Sequence, residues 1–525
     1  MKPGEVAHTV SRGVFYLSIE KGLALVSGIA YFALLLRWLG PTKYGIMTLA
    51  LSFAGLATMF TGNFEAYLER YAAEYQAHGR LLTLRRAQLL AMGLKLALGT
   101  GAALALIGLA PALAVQFRIP ELARLLPVLA FMVWLEGLST TGRATLYGVQ
   151  QFRWMSAVAL VFHLLKTIMV ALLWWTRQGL PELAAGLTAL AVAQGAVSAS
   201  LPLWMLRRAR DPDGETPPTL RVLARSIVSY CLPLLGARVT FVSGQNLGKI
   251  VLGKIFDATL LGYFSFAYQT VERFVEVVHA LPSSLLPSLT QLVARHERER
   301  LRHAFDPSLR LIQVVALALS VGMVVGAREI TLVVGSPLFE PAIPLLQVMA
   351  LVPIARTAQQ PLTMLFQALR LPGTVLGLAL LKFAVEFGCY FALVPFLGLI
   401  GAGWANLTGA VVSYLAAMMA LNHRLPEGAA ARTRTTVTGL VVFLPLLVIG
   451  LELDRRLPPP WSLPARLTLV PIAVAGIFAF GLVREEDFRR LQSFPLRSAW
   501  MTRIRDGLVG GARRAMQAIV PGRMP

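Results

Sequence analysis

Fourteen long apolar runs follow one another along this chain, and they leave few folds open to it. A transmembrane helix needs roughly 20 mostly apolar residues to cross about 30 Å of hydrocarbon. The runs lie at about 13–38, 45–68, 88–113, 125–147, 154–176, 183–205, 226–254, 261–288, 309–333, 342–368, 374–395, 400–421, 436–453 and 465–483. They predict an all-α integral membrane protein. Charged residues make up only 14% of the chain against roughly 25% in soluble domains, and the mean hydropathy is +0.64. Soluble enzymes and free nucleic-acid binders are set aside on these grounds.

The formal charge of +22 would suggest nucleic acid if the 49 Lys and Arg shared one open face. Instead they gather in the gaps between apolar runs, alternately rich and poor, which is how membrane orientation is encoded. With the amino terminus inside, cytoplasmic segments hold 31 of them, external loops about ten and the spans eight. Both termini are therefore expected in the cytoplasm, in a multi-pass protein. The first run is as long as a full span and contains Lys21, so a retained amino terminus is expected rather than a cleaved signal peptide. The segment ARHERERLRHAF and the tail after Arg484 have the pattern of basic amphipathic helices lying against anionic lipid.

The one obvious linker is 207–225, where Pro212, Pro217 and Pro218 oppose helix continuation. It separates six helices from eight, and the two parts look related. Tyr44-Gly45-Ile46-Met47-Thr48-Leu49-Ala50 opens the second helix, and Leu261-Gly262-Tyr263-Phe264-Ser265-Phe266-Ala267 opens the eighth. At the same offset Lys21 falls on Arg238 and Arg37 on Lys254. About fourteen helices are thus expected in two pseudo-symmetric lobes, helices 1–6 and 7–12, with two more at the carboxyl end. The expected segments are a lobe over 1–206, the linker, a lobe over 226–422, two further spans in 423–484, and a basic cytoplasmic tail over 485–525. Parallel repeats of this kind are a recurrent transporter plan.

Ionisable groups in hydrocarbon cost a few kcal/mol or more each, so they mark cavities or partners. On helix 7, Arg238, Gln245 and Lys249 fall within about 20° of one line at about 100° per residue. Helix 10 repeats the arrangement with Arg356, Gln360, Thr363 and Gln367, and Gln359 beside them. With Lys21 from helix 1, these residues suit an anion-binding cavity for a phosphate or pyrophosphate; the alternative is that the cations only bond helices together. Lys166, near His163, is a weaker candidate, and Lys95 is close enough to the inner surface to snorkel. Arg273 and Glu276 stand three apart and Lys382 and Glu386 four apart, spacings that allow structural pairs. Glu65 and Glu136 have no local partner and are candidates for binding a coupling ion.

Catalytic constellations are missing. No Walker-type phosphate loop occurs, and Cys231 and Cys389 have no ligand neighbours, so neither an enzyme, a cofactor nor a metal site is expected. Short external loops also disfavour membrane glycosyltransferases and polymerases.

Over roughly residues 8–425 the chain resembles the polysaccharide flippases, the O-antigen and exopolysaccharide translocases of the multidrug/oligosaccharidyl-lipid/polysaccharide (MOP) superfamily. Arg37-Trp38-Leu39-Gly40-Pro41 with Tyr44-Gly45, and Arg70-Tyr71-Ala72-Ala73-Glu74-Tyr75, carry the resemblance in the first part. Tyr230 to Pro233, Lys249 to Gly253, Gly262-Tyr263 with Ala267-Tyr268, Leu286-Pro287 and Gly401-Ala402-Gly403 carry it in the second. Members often have Asp before a basic residue on helix 7, where this chain has Gly248-Lys249. The resemblance implies a bacterial cytoplasmic-membrane protein whose substrate is a glycan on a polyprenyl pyrophosphate. Alternating access would then serve surface polysaccharide assembly, alongside glycan polymerase and other assembly proteins. Lys21, Arg238 and Lys249 would hold the pyrophosphate, and Gln245, Gln359 and Gln360 would touch sugars. The rival readings are a cation-coupled multidrug exporter, a lipid II flippase, and a non-transporting component of a glycan assembly complex.

Overall fold

A computed structural model describes residues 3–207, 211, 218–283, 289, 292–293, 297–369, 371–456, 462, 464–466 and 468–480, with isolated positions between 503 and 514. Side chains before residue 22, that of Lys21 included, lie outside the described residues, as do Arg370, His296 and most of the basic tail.

Two glycines shape the longest elements. Helix α1, Pro3–Ala57, is two helices meeting at Gly40, whose φ of 64° needs a residue without Cβ. Pro41 then starts the second helix at a position where its missing N–H is not needed. Gly398, at φ 56°, divides a 53-residue helix over Pro372–Arg424 in the same way. At 1.5 Å per residue such a helix measures about 80 Å, enough for two spans. Among the described residues eight helices are long and apolar enough to cross a membrane, with one bent pair as a ninth. The two glycine-divided helices each supply two of the expected spans.

The first part continues after a 3-10 turn at Thr58–Thr61 with α2, Glu65–Ala77, and α3, Leu81–Phe117. It then runs through α4, Leu122–Gly148, α5, Phe152–Trp175, and α6, Leu180–Met205. The expected second span is interrupted here: the backbone unwinds from Thr58 to Phe64, with Gly62 at φ 81°. The seventh is broken too, into α7, Leu220–Cys231, and α8, Leu235–Ile255, because Pro233 cannot continue the hydrogen-bond ladder. Helix α9 covers Ala258–Ser283.

Helix α10, Arg298–Val325, corrects one expectation. Residues 298–306 form no separate surface helix but the first turns of this span, with Leu301 and Phe305 buried. The tenth span is a bent pair, α11, Ile343–Met349, and α12, Val352–Ala368. The glycine-divided α13, Pro372–Arg424, is followed by α14, Ala429–Arg456, and α15, Leu469–Ala479.

The chain divides into two compact units, 1–265 with 334–338, and 266–333 with 339–525. In the first, Tyr67, Leu68, Leu84, Ala87, Leu223, Ile227 and Cys231 form one buried cluster. In the second, Leu317, Val321 and Val325 of α10 pack with Phe443 and Leu446 of α14 and Leu469 of α15. Trp175 and Phe396 are 82% and 86% exposed, an outward apolar surface that fits hydrocarbon rather than water.

Candidate functional site

The unwinding between Thr58 and Phe64 leaves backbone carbonyls without helical partners, and a charged cluster closes on that break. Arg238 on α8 donates through Nη2 to the Thr58 carbonyl at 3.2 Å. Its Nη1 donates to Glu65 Oε1 at 2.7 Å and its Nη2 to Glu136 Oε1 at 3.1 Å. Lys95 on α3 donates to Glu65 Oε2 at 2.7 Å and to Thr140 Oγ1 at 2.8 Å. Thr61, in the 3-10 turn, donates to Glu136 Oε2 at 3.0 Å. Two cations thus face two carboxylates, and the formal charge of the group is zero.

Local sequence makes room for this arrangement. A Cβ on Gly137 of α4 would stand 2.7 Å from Lys95 Cβ, so only glycine lets the lysine pass. The Lys95 side chain is wholly buried, whereas Glu136 keeps 24% of its side-chain exposure. Arg238 Nε is buried with no hydrogen-bond partner. The group is therefore closed on the Lys95 side and accessible on the Glu136 side.

This geometry corrects one expectation and sharpens two. The Arg238 guanidinium is held by two carboxylates. Glu65 and Glu136, without partners along their own helices, take their cations from α3 and α8. Lys95 does not snorkel; its ammonium is inside the cluster. Spacing along one helix could not reveal contacts separated by 30 and 173 residues. The other members of the helix 7 line part company: Gln245 is exposed, while Lys249, eleven residues beyond Arg238 and about 16 Å along the axis, is buried. Lys166 sits over the Tyr31 ring at 4.4 Å.

The second unit has its own charged group. Arg356 on α12 pairs with Glu272 on α9. Gln359 donates to Ser413 at 2.8 Å, and Ser413 donates to the Leu378 carbonyl. Gln360 is half-buried. Glu386 accepts from Tyr390 at 2.8 Å and Asn406 at 2.7 Å, with Lys382 at 3.5 Å. Arg273 and Glu276 pair at 3.1 Å across one helical turn. Sequence reasoning passed over Tyr390, Asn406 and Thr61; polar residues inside apolar runs were the available signal. Among the described residues no three His, Cys, Asp or Glu side chains are placed to hold a metal ion.

Solved structures share this fold of broken, membrane-length helices. A lipid II flippase, MurJ, in an inward closed conformation matches with a TM-score of 0.64 at 13% identity, over 91% of this chain and 99% of that one. An inward-facing multidrug resistance MATE family transporter of the MOP superfamily matches with a TM-score of 0.61 at 14% identity, over 81% and 99%. No curated protein matches the chain. The chain belongs to the polysaccharide biosynthesis protein family, whose pattern covers residues 34–344.

Proposed function

We propose that the protein is a flippase that carries a polyprenyl-pyrophosphate-linked oligosaccharide across the bacterial cytoplasmic membrane, with both termini in the cytoplasm. Family membership supports the substrate class, and the fold supports transport by alternating access. On this reading the chain is a transporter rather than an enzyme, organised as two six-helix lobes with two added spans. Glycan polymerase and other assembly proteins are its expected partners.

The observation that carries the reading is the Arg238 guanidinium, held between Glu65 and Glu136 on the accessible side of the cluster. A planar fork bonds a phosphate in two places as readily as it bonds carboxylates. A pyrophosphate entering from the accessible side would compete with Glu65 and Glu136 for Arg238, with Lys21 and Lys249 adding positive charge. Glu65 and Glu136, the two carboxylates that hold this fork, remain the candidates for ion coupling. Gln245, Gln359 and Gln360 remain candidates for sugar contacts.

The test is translocation of lipid-linked oligosaccharide in proteoliposomes with and without a proton gradient. No translocation under either condition sinks the proposal. The two carboxylates also favour a second reading, a cation-coupled multidrug exporter. Transport of a cationic dye, without movement of the lipid-linked sugar, would select that one; movement of lipid II alone would select a peptidoglycan role.

A further inference from the structure

The first unit also contains a pocket whose lining includes none of the residues of the charged cluster. It is an open pocket of about 580 Å³ where the end of α3 and the start of α4 meet the end of α8 and the start of α9. That volume lies within the roughly 300–1,000 Å³ typical of small-ligand sites. With the termini in the cytoplasm these four helix ends face outward, so the pocket opens on the side to which the substrate is delivered.

Its lining alternates in charge. Arg118 and Lys254 are cationic, Glu121 and Asp257 anionic, and Phe117 offers a half-buried ring. Lys254 donates to the Gln116 carbonyl and lies 5.7 Å from the Phe117 ring centroid. Asp257, which lines the pocket, accepts the Leu260 N–H through Oδ1 at 2.8 Å. Arg118 ends α3 in the left-handed conformation, φ 55°, where glycine is the usual residue. The chain keeps a long polar side chain at a backbone position that disfavours it.

Arg118 and Lys254 bring hydrogen-bond donors, and Glu121 and Asp257 acceptors, to one open lining beside the Phe117 ring. It suits a molecule with many hydroxyl donors and acceptors and an apolar face to lay on an aromatic ring. Those are the properties of a saccharide. We infer that this pocket is an outer-face subsite for the glycan head of the translocated lipid. The inference rests on the flippase reading, and the residues that carry it are Glu121, Asp257, Arg118, Lys254 and Phe117. The glycan would be held here after its pyrophosphate has left Arg238.

The test uses an I255C variant, which places a thiol at the pocket wall, in the full chain reconstituted with its outer face exposed. Labelling by a membrane-impermeant maleimide is followed by peptide mapping. The probe is the delipidated oligosaccharide repeat unit, cleaved from its pyrophosphate by mild acid, with sucrose as control. The repeat unit should slow labelling and sucrose should not. Adding Glu121→Gln and Asp257→Asn should weaken that protection by about tenfold or more, the scale of losing hydrogen bonds to charged acceptors. Asn still caps α9, so folding is preserved, and an unchanged unfolding midpoint confirms it. Labelling that the repeat unit leaves untouched, or protection that survives both substitutions, overturns the inference. The measurement needs no translocation, so a flippase that moves lipid-linked sugar yet shows no protection loses this subsite alone.

Discussion

The hydroxyls of Thr42 and Thr259 lie 2.8 Å apart, and the two residues are 217 positions apart in the chain. That separation equals the offset that aligns Tyr44-Gly45 with Leu261-Gly262. The neighbouring contacts are reciprocal in the same way. A Cβ on Gly45 would stand 1.8 Å from the Ala258 carbonyl oxygen, and one on Gly262 would stand 2.0 Å from the Pro41 carbonyl oxygen. Pro41 and Ala258 are themselves related by the offset. Each copy of the motif thus packs on the other as residues do across a twofold axis.

Gly45→Ala and Gly262→Ala should therefore each destabilise the protein by about 1–3 kcal/mol, since the new methyl meets backbone that must move. The double variant should lose less than the sum, because one separation of the helices relieves both clashes. Thermal unfolding of the purified protein measures all three. Wild-type midpoints for the single variants would disprove the close approach.

The offset of 217 was legible in the sequence as two similar motifs, and the contacts of Thr42 with Thr259, Gly45 with Ala258 and Gly262 with Pro41 follow it. Gly40 and Pro41 were legible as the gap between the first two apolar runs, whereas Pro233 lay inside a run read as continuous over 226–254. The interruption from Thr58 to Phe64 was not legible, because Thr58, Met59 and Phe60 continue an apolar run that Phe64 resumes, and Gly62-Asn63 was the one local signal against a helix. The cluster around Arg238 was half legible. Its residues stood out as charges in hydrocarbon, but which carboxylate meets which cation depends on how α2, α3, α4 and α8 assemble. The pairs Arg273 with Glu276 and Lys382 with Glu386 lie on single helices, where spacing alone can bring partners together.

Lys95→Met should be among the most damaging single changes in the first unit. It leaves two carboxylates to one guanidinium and removes the wholly buried partner of Glu65. Breaking a buried pair from one side costs about 3–5 kcal/mol. Adding Glu65→Gln removes the stranded charge and should recover part of the loss, read as unfolding midpoints of the two variants. Equal midpoints for the single and double variants would show that Glu65 is not the residue Lys95 neutralises.

Glu69, on α2 beyond the unwound turn, has its carboxyl raised above the usual 4.5, first by burial and then by the charge of Glu65, with Arg143 opposing. The folded state therefore holds its proton to higher pH than the unfolded state does. Stability contributed by the protonated form is present below pH 4.5 and is lost as pH rises through the folded value. Glu69→Gln should raise the unfolding midpoint at neutral pH and leave it unchanged in acid. A gain that is the same at both pH values would argue against a raised carboxyl.

Helix α14 and the segment leading into α15 are fastened by buried arginines. Arg432 donates to Asp306 and Asn422, each at 3.1 Å, and to the Leu425 carbonyl. Arg466 bonds Glu329 at 2.7 Å and the Val325 carbonyl. Arg432→Ala should lower the amount of protein in the membrane by stranding Asp306, at a cost of about 3–5 kcal/mol. Export per surviving molecule should stay at the wild-type value, because these bonds hold α14 to α10 and α13 and do not reach the charged cluster. A transport defect at normal protein level would give α14 a part in translocation itself.

Arg238 is where stability and transport must be separated. Replacing it by Ala alone leaves Glu65 and Glu136 sharing Lys95, so lost export could reflect a damaged fold. Arg238→Ala with Glu136→Gln keeps one cation against one carboxylate and restores neutrality. If Arg238 binds pyrophosphate, this double variant should fold with a near-normal midpoint and still fail to export. Arg238→Lys should keep the charge but lose the two-point grip, and so retain protein while slowing export about tenfold, the scale of one charged hydrogen bond. Export restored in the neutral double variant would mean that Arg238 serves only to offset the carboxylates, and the anion site would have to be sought elsewhere.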